Sequence, residues 1–189
     1  MREYIESRIF ENIDFSATSP EQADYEECTF LRCDFTEADL RNISFIECTF
    51  TGCNLSNAKV ESASFRDVRF SGCKLTGVDF SLTNPSMISL GFEDCRMDYV
   101  SFARLHLKKT KFKNCSLLHA FFDDADFSGS EFTGCDLENA AFGKTNLEKA
   151  DFSSSYNYII DLENNRIRKA KFSSSGLPGL LVKYDIVIV

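Results

Sequence analysis

The chain has 189 residues, with 29 acidic side chains against 21 basic ones, a formal charge of -8 and a pI near 4.8. That balance argues against direct binding to nucleic acid or an anionic membrane, both of which need a basic surface. No apolar run approaches the roughly 18 residues of a membrane span, and the start, MREYIESRIFEN, lacks the apolar centre of a signal peptide, so a cytoplasmic protein is expected.

From Ile5 onward a large apolar residue recurs every fifth position: Ile5, Phe10, Phe15, Tyr25, Phe30, Phe35, Leu40, Phe45, Phe50, Leu55, Val60, Phe65, Phe70, Leu75 and Phe80. Pro20 holds the one odd place. The frame then slips by two and resumes at Phe92, running through Met97, Phe102, Leu107 and onward to Phe152. After a break at Asn157 it catches Leu162, Ile167, Phe172 and Leu177. Of the 19 Phe, 18 occupy this position and only Phe121 does not, so the period is a property of the sequence and not of its composition.

Two residues before the large residue a small one recurs, Ala at nine places and Cys at eight, which accounts for every Cys. Between them lies Asp, Asn or Ser, and Ser or Thr follows. A period of five fits neither the 3.6 of a helix nor the 2 of a strand. It suits a chain that turns a corner every five residues, four sides making a coil of 20, with Asp and Asn bonding nearby backbone at the corners. Residues 20 apart then stack: Phe10, Phe30, Phe50 and Phe70 continue, across the slip, through Phe92, Phe112, Phe132, Phe152 and Phe172. Cys33, Cys53, Cys73, Cys95, Cys115 and Cys135 form a second column. The slip is a two-residue insertion, placed in a small protruding loop at residues 81–90 with Asn84 and Pro85 as its turn chemistry. Leu82, Asn84, Pro85 and Met87 are its candidate contact residues.

The cysteine spacings of 5, 15 and 20 are not those of a zinc site, and parallel side chains on one face do not form disulfides. These thiols are expected in the core as small hydrophobes. His106 and His119 fall at outward positions in different coils. No phosphate loop, nucleophile elbow or Cys/His pair appears, so neither a cofactor, a metal nor an enzymatic activity is expected.

This pattern resembles the pentapeptide-repeat family. The resemblance implies an all-β fold, a right-handed quadrilateral β-helix of about eight to nine coils over residues 1–175, roughly 40 Å long at ~4.8 Å per coil. The segment 176–189 breaks the repeat and reads as a short apolar helix followed by a strand of alternating Ile and Val. It can cap the last coil, which any solenoid must cover, or join two rods. The ending NYIIDLENNRIRKAKF and GLLVKYDIVIV is similar to that of Qnr-type quinolone-resistance and gyrase-poison immunity proteins. That likeness implies a homodimer held by Leu180, Leu181, Tyr184, Ile186 and Ile188.

Charge is uneven along the chain. Residues 116–165 hold ten acids and two bases, whereas residues 91–115 hold three acids and six bases. The acid band supplies Asp123, Asp124, Asp126, Glu131, Asp136, Glu138, Glu148 and Asp151 as candidate partner-binding residues. The Qnr-type resemblance implies a DNA mimic that binds DNA gyrase or topoisomerase IV and counters quinolones or peptide poisons. The alternative is a scaffold for an unrelated protein, because the repeat records architecture and not target.

Overall fold

The computed structural model describes residues Glu3–Val187. Every fifth residue turns inward, and the chain winds into a parallel β-solenoid of about eight four-sided turns. The strands are β1 (Glu3–Glu6), β2 (Ile9–Glu11), β3 (Ala23–Glu26), β4 (Thr29–Leu31), β5 (Ser44–Ile46), β6 (Thr49–Thr51), β7 (Ser64–Arg66), β8 (Val68–Ser71), β9 (Leu90–Glu93), β10 (Lys111–Lys113), β11 (Glu131–Thr133), β12 (Asp151–Phe152) and β13 (Lys171–Phe172). They form two parallel sheets, β1-β3-β5-β7 on the first face and the nine-stranded β2-β4-β6-β8-β9-β10-β11-β12-β13 on the second. The third and fourth faces are built from isolated parallel bridges such as Asp34 to Asn54 and Phe121 to Ala141.

The register is 20 residues per coil: Phe10 pairs with Phe30, Phe30 with Phe50 and Phe50 with Phe70. Between β8 and β9 it becomes 22, with Phe70 opposite Phe92, and then returns to 20 at Phe92 and Phe112. The expected column of Phe rings is present in full. Successive centroids from Phe10 to Phe172 lie 4.6–5.4 Å apart and the rings are nearly parallel. Rings on neighbouring faces meet edge-on, as Phe102 does Phe112 at 5.8 Å. Stacked and edge-to-face contacts both complement the ring quadrupole.

The other motif positions have equally local causes. Asp34 accepts hydrogen bonds from the Thr36 backbone (2.9 Å) and hydroxyl (2.6 Å), and Asn54 does the same for Ser56. This side-chain turn is why Asp/Asn, a large residue and Ser/Thr travel together. Two residues past the large residue the backbone enters the left-handed region, as at Glu27, Glu47, Asn57 and Gly77. There the amide can reach the next coil: Glu27 donates to the Ile46 carbonyl at 2.9 Å and Glu47 to Arg66 at 2.8 Å. Non-glycine residues tolerate this strained geometry because it recurs with a hydrogen bond at each coil.

All eight cysteines are buried and free. Along the longer ladder Cys33, Cys53, Cys73 and Cys95 donate to the carbonyls of Phe10, Phe30, Phe50 and Phe70 of the preceding coil at 3.3–3.5 Å. Burial pushes the Cys48 thiol up to about 12, so it stays protonated and unreactive.

Three expectations need correcting. The insertion is smaller than the 81–90 loop. Phe80–Leu82 is a 3-10 turn, Thr83 is buried, and Asn84 still donates to the Ala63 carbonyl at 2.8 Å as a regular coil residue would. Regular bonding resumes at Ser89, whose carbonyl accepts from the Val68 amide at 3.0 Å, so the extra residues bulge only across residues 85–88. The short C-terminal helix is present as expected: α1 covers Pro178–Leu181, with 3-10 turns at Ser174–Gly176 and Val182–Tyr184 on either side. The expected terminal strand does not form over the described part. Asp185 takes a left-handed conformation (φ 49°), and Ile186 and Val187 have no strand partner among the described residues. Ile188 lies outside the described residues. Finally, Leu177, in frame for the core, is exposed, because Tyr158 and Ile160 fill the last coil's interior after the break at Asn157.

Candidate partner-binding surfaces

The eight acids of the band do not share one side of the rod. Asp126 and Glu148 flank inward residues of the first face, Glu131 and Asp151 those of the second, and Asp136 and Glu138 those of the third. Asp123 and Asp124 follow Phe122 on the fourth. Their ionic surroundings divide them further. Asp126 faces Lys108 at 3.4 Å, Glu148 faces Arg166 at 3.0 Å, and Asp151 faces Lys171 at 2.9 Å. Bonds from Ser153 and Lys171 hold the Asp151 carboxyl down at about 2. Hydrogen bonds from Ser128 and Asn146, with Lys108 nearby, outweigh burial and keep Asp126 below its ordinary value.

Among the described residues no ion pair engages Asp123, Asp124, Glu131, Asp136 or Glu138. Four of these five lie on the third and fourth faces, one coil apart. The same side carries aromatic surface that the periodicity alone flagged only in part. Phe121 is 45 % exposed. Tyr99, exposed at a left-handed corner, stacks its ring on His119 one coil on, with centroids 4.8 Å apart and planes within 3°. His119 was visible in the sequence only as an outward residue; the 20-residue register gives it Tyr99 as a neighbour.

At the loop, Leu82, Asn84, Pro85 and Met87 are all exposed, Met87 at 72 %. Asn84 accepts from the Ser86 amide at 3.0 Å, which sets the turn, and Met87 sits at its tip with φ 59°. The loop also ends the first sheet. The position that would continue β7 is the bulge, and beyond it this face has only single bridges, from His106 to Asp126 and from Asp126 to Asn146.

At the far end, Leu180 turns into the core beneath α1, while Leu181 is half-buried and Tyr184 and Ile186 are exposed. The end segment is strapped down by polar contacts. Lys183 reaches Glu163 (2.5 Å) and Asp161 (3.3 Å), and the Tyr184 hydroxyl donates to Glu163 at 2.9 Å. It therefore covers the last coil, and it leaves Tyr184, Ile186 and Val187 facing outward.

These features rest on a repeat that sequence comparison identifies directly. The Pentapeptide repeat region family matches residues 23–91 and 47–122, and the Pentapeptide repeats (8 copies) family matches 106–142 and 130–156. The chain belongs to the pentapeptide-repeat family. No curated protein sequence matches it. Among solved structures, a trypsin-treated variant of QnrB1, a plasmid-mediated fluoroquinolone resistance protein, superposes with a TM-score of 0.63 at 20% identity, covering 100% of this chain and 99% of that one. A second trypsin-treated QnrB1 variant gives 0.52 at 22% identity, covering both chains fully. The rod is thus Qnr-like in fold from end to end. Among the described residues no cluster of His, Cys, Asp and Glu could hold a metal, and no helix is long and apolar enough to cross a membrane.

Proposed function

We propose that this rod is a non-enzymatic DNA mimic that binds a type II DNA topoisomerase, DNA gyrase or topoisomerase IV, and protects it from quinolones or peptide poisons. The observation that carries the reading is the group of unneutralised carboxylates, Asp123, Asp124, Asp136 and Glu138, beside exposed Phe121 on one side of a Qnr-like rod. About 12 Å of duplex, the rise of two and a half coils, carries roughly seven phosphates. The acid band approaches that density over the same length. The exposed loop residues Leu82, Pro85 and Met87 give the rod a feature that a duplex lacks, suited to a shape-specific contact. The outward Tyr184 and Ile186 are available to pair two rods as a homodimer.

The test is a gyrase supercoiling assay in a fluoroquinolone, with and without the purified protein. Supercoiling restored at protein concentrations below those at which the rod itself inhibits supports the reading. No rescue by folded protein, with either gyrase or topoisomerase IV, leaves a scaffold for a different partner. That second reading has an observation in its favour: the acids encircle the rod, and three of the eight are already neutralised by cations from the adjacent coil.

A further inference from the structure

Cations on this rod are commonly neutralised by a carboxylate about one coil away. Arg32 meets Glu11, Lys113 meets Glu93 at 2.6 Å, Arg166 meets Glu148 at 3.0 Å, and Lys171 meets Asp151 at 2.9 Å. The second face breaks this habit at its middle. Its outward row runs Thr49, Arg69, Gly91, Lys111 and Glu131 in register. The residue one coil before Lys111 is Gly91, and the one before Arg69 is Thr49. Around the corner Lys109 is preceded one coil earlier by Ser89. Among the described residues no ion pair engages Arg69, Lys109 or Lys111.

Gly91 also leaves a hole. A Cβ built there would meet nothing within 4 Å. Above it lies a notch of about 550 Å³, walled by Arg69 and Lys111, with Glu93 and Lys113 along one edge and Glu131 at the far end. A second hollow of about 270 Å³ leads round the corner to Ser89 and Lys109, with Asp67 on its rim. Glu93 is committed to Lys113, so the two free cations Arg69 and Lys111 dominate the notch, with Lys109 in the hollow beside it.

We propose that this notch binds carboxylate side chains from an acidic segment of a protein partner, which supply the acid that the repeat lacks above Gly91. A carboxylate there meets Lys111 as Glu93 meets Lys113 in the neighbouring row, and it can accept a forked pair of bonds from Arg69. Arg69 and Lys111 stand two coils apart, about 10 Å, so a segment with two or more acids fits better than a single ion. A long polyanion fits worse, because Glu131 and the acid band begin one coil further on and repel it. The site does not depend on the topoisomerase reading: it lies on a different face from the acid-and-aromatic side, and any partner with an exposed acidic loop can use it.

The experiment is an NMR titration of the full chain with an end-capped hexaglutamate peptide, in parallel with inorganic pyrophosphate and a short single-stranded oligonucleotide. The peptide is expected to shift the amide signals of Arg69, Gly91, Lys109 and Lys111. Replacing Arg69 or Lys111 by Gln should weaken its binding about two- to fivefold each, the range for exposed charge pairs. Gly91→Glu fits the open space, provides an internal carboxylate and should abolish binding, whereas Gly91→Ala should leave it within about twofold. Three results would overturn the proposal: no response at Gly91, pyrophosphate or the oligonucleotide binding more tightly than the peptide, or Gly91→Glu binding like the unaltered protein.

Discussion

Charge neutralisation of the acid band can be done in two ways that change net charge similarly but differ in local structure. One variant replaces the unpaired acids: Asp123→Asn, Asp124→Asn, Asp136→Asn and Glu138→Gln. The other replaces the paired ones: Asp126→Asn, Glu148→Gln and Asp151→Asn, whose partners Lys108, Arg166 and Lys171 stand 2.9–3.4 Å away. A carboxylate already facing a lysine must give up that contact to serve a topoisomerase lysine, so its exchange gains little. A free one gains the whole interaction. At about 0.2–1 kcal/mol per exposed pair, four free acids contribute about 1–4 kcal/mol, or roughly fivefold to several hundredfold in Kd. The paired set should cost at most a few-fold. The assay is binding of each variant to gyrase at two salt concentrations, alongside protection of supercoiling. Screening predicts that the difference between the variants shrinks as salt rises. Equal losses from both sets would refute the local argument and leave only net charge at work. No loss from either would remove the acid band from the interface altogether.

Other outcomes follow from the same geometry. Phe112 is fully buried between Phe92 and Phe132, so Phe112→Ala should cost about 3–5 kcal/mol in urea denaturation, while Phe121→Ala, on the exposed row, should change stability by less than about 1 kcal/mol. A Cβ on Gly179 would lie 1.9 Å from the Tyr158 carbonyl, so Gly179→Ala should displace α1, expose Leu180 and speed amide exchange in the last coil. Asp39 and Asp151 titrate near 2 when folded, Asp39 held there chiefly by Arg41; both contribute stability above the ordinary carboxylate value that is lost as pH falls from about 4 toward 2. Acid unfolding of Asp151→Asn, followed by circular dichroism, should therefore show a shallower pH dependence in that window. Replacing Ile186 by Asp should give a monomer by sedimentation if this outward side chain helps to hold two rods together, with the coil spectrum unchanged.

The fold was legible because each inward position answers to one local rule that repeats. Phe70 and Phe92 could be matched across a 22-residue gap from the sequence alone, since the columns on both sides demanded it. The extent of the insertion could not. Asn84 keeps a regular hydrogen bond that depends on Ala63 in the coil before, and no pattern in residues 81–90 reports this. Over the described residues the terminal strand is missing for a related reason. Alternating Ile and Val record a β preference, but a strand needs an edge to pair with, and Asp185 turns the described end of the chain away from one. The acids were legible as a band in sequence. Their division into paired and free was not, because it depends on whether a cation stands about one coil before or after, as Lys108 does for Asp126 and Lys171 for Asp151.

That dependence separates what the repeat determines from what it leaves open. Inward residues are fixed by packing at every coil, so their identities say nothing about a partner. Outward residues touch mainly the residues one coil before and after them, and a substitution there alters charge or shape on one face with little effect on the core. The proposed binding surfaces therefore occupy this rod almost independently: acids with Phe121 on the third and fourth faces, the 85–88 bulge on the first, and the cationic notch over Gly91 on the second. Gly91 makes the point most directly. At an inward position a missing side chain would open a cavity and cost several kcal/mol. At this outward one it costs the fold little, and it leaves two cations facing an empty place one coil high.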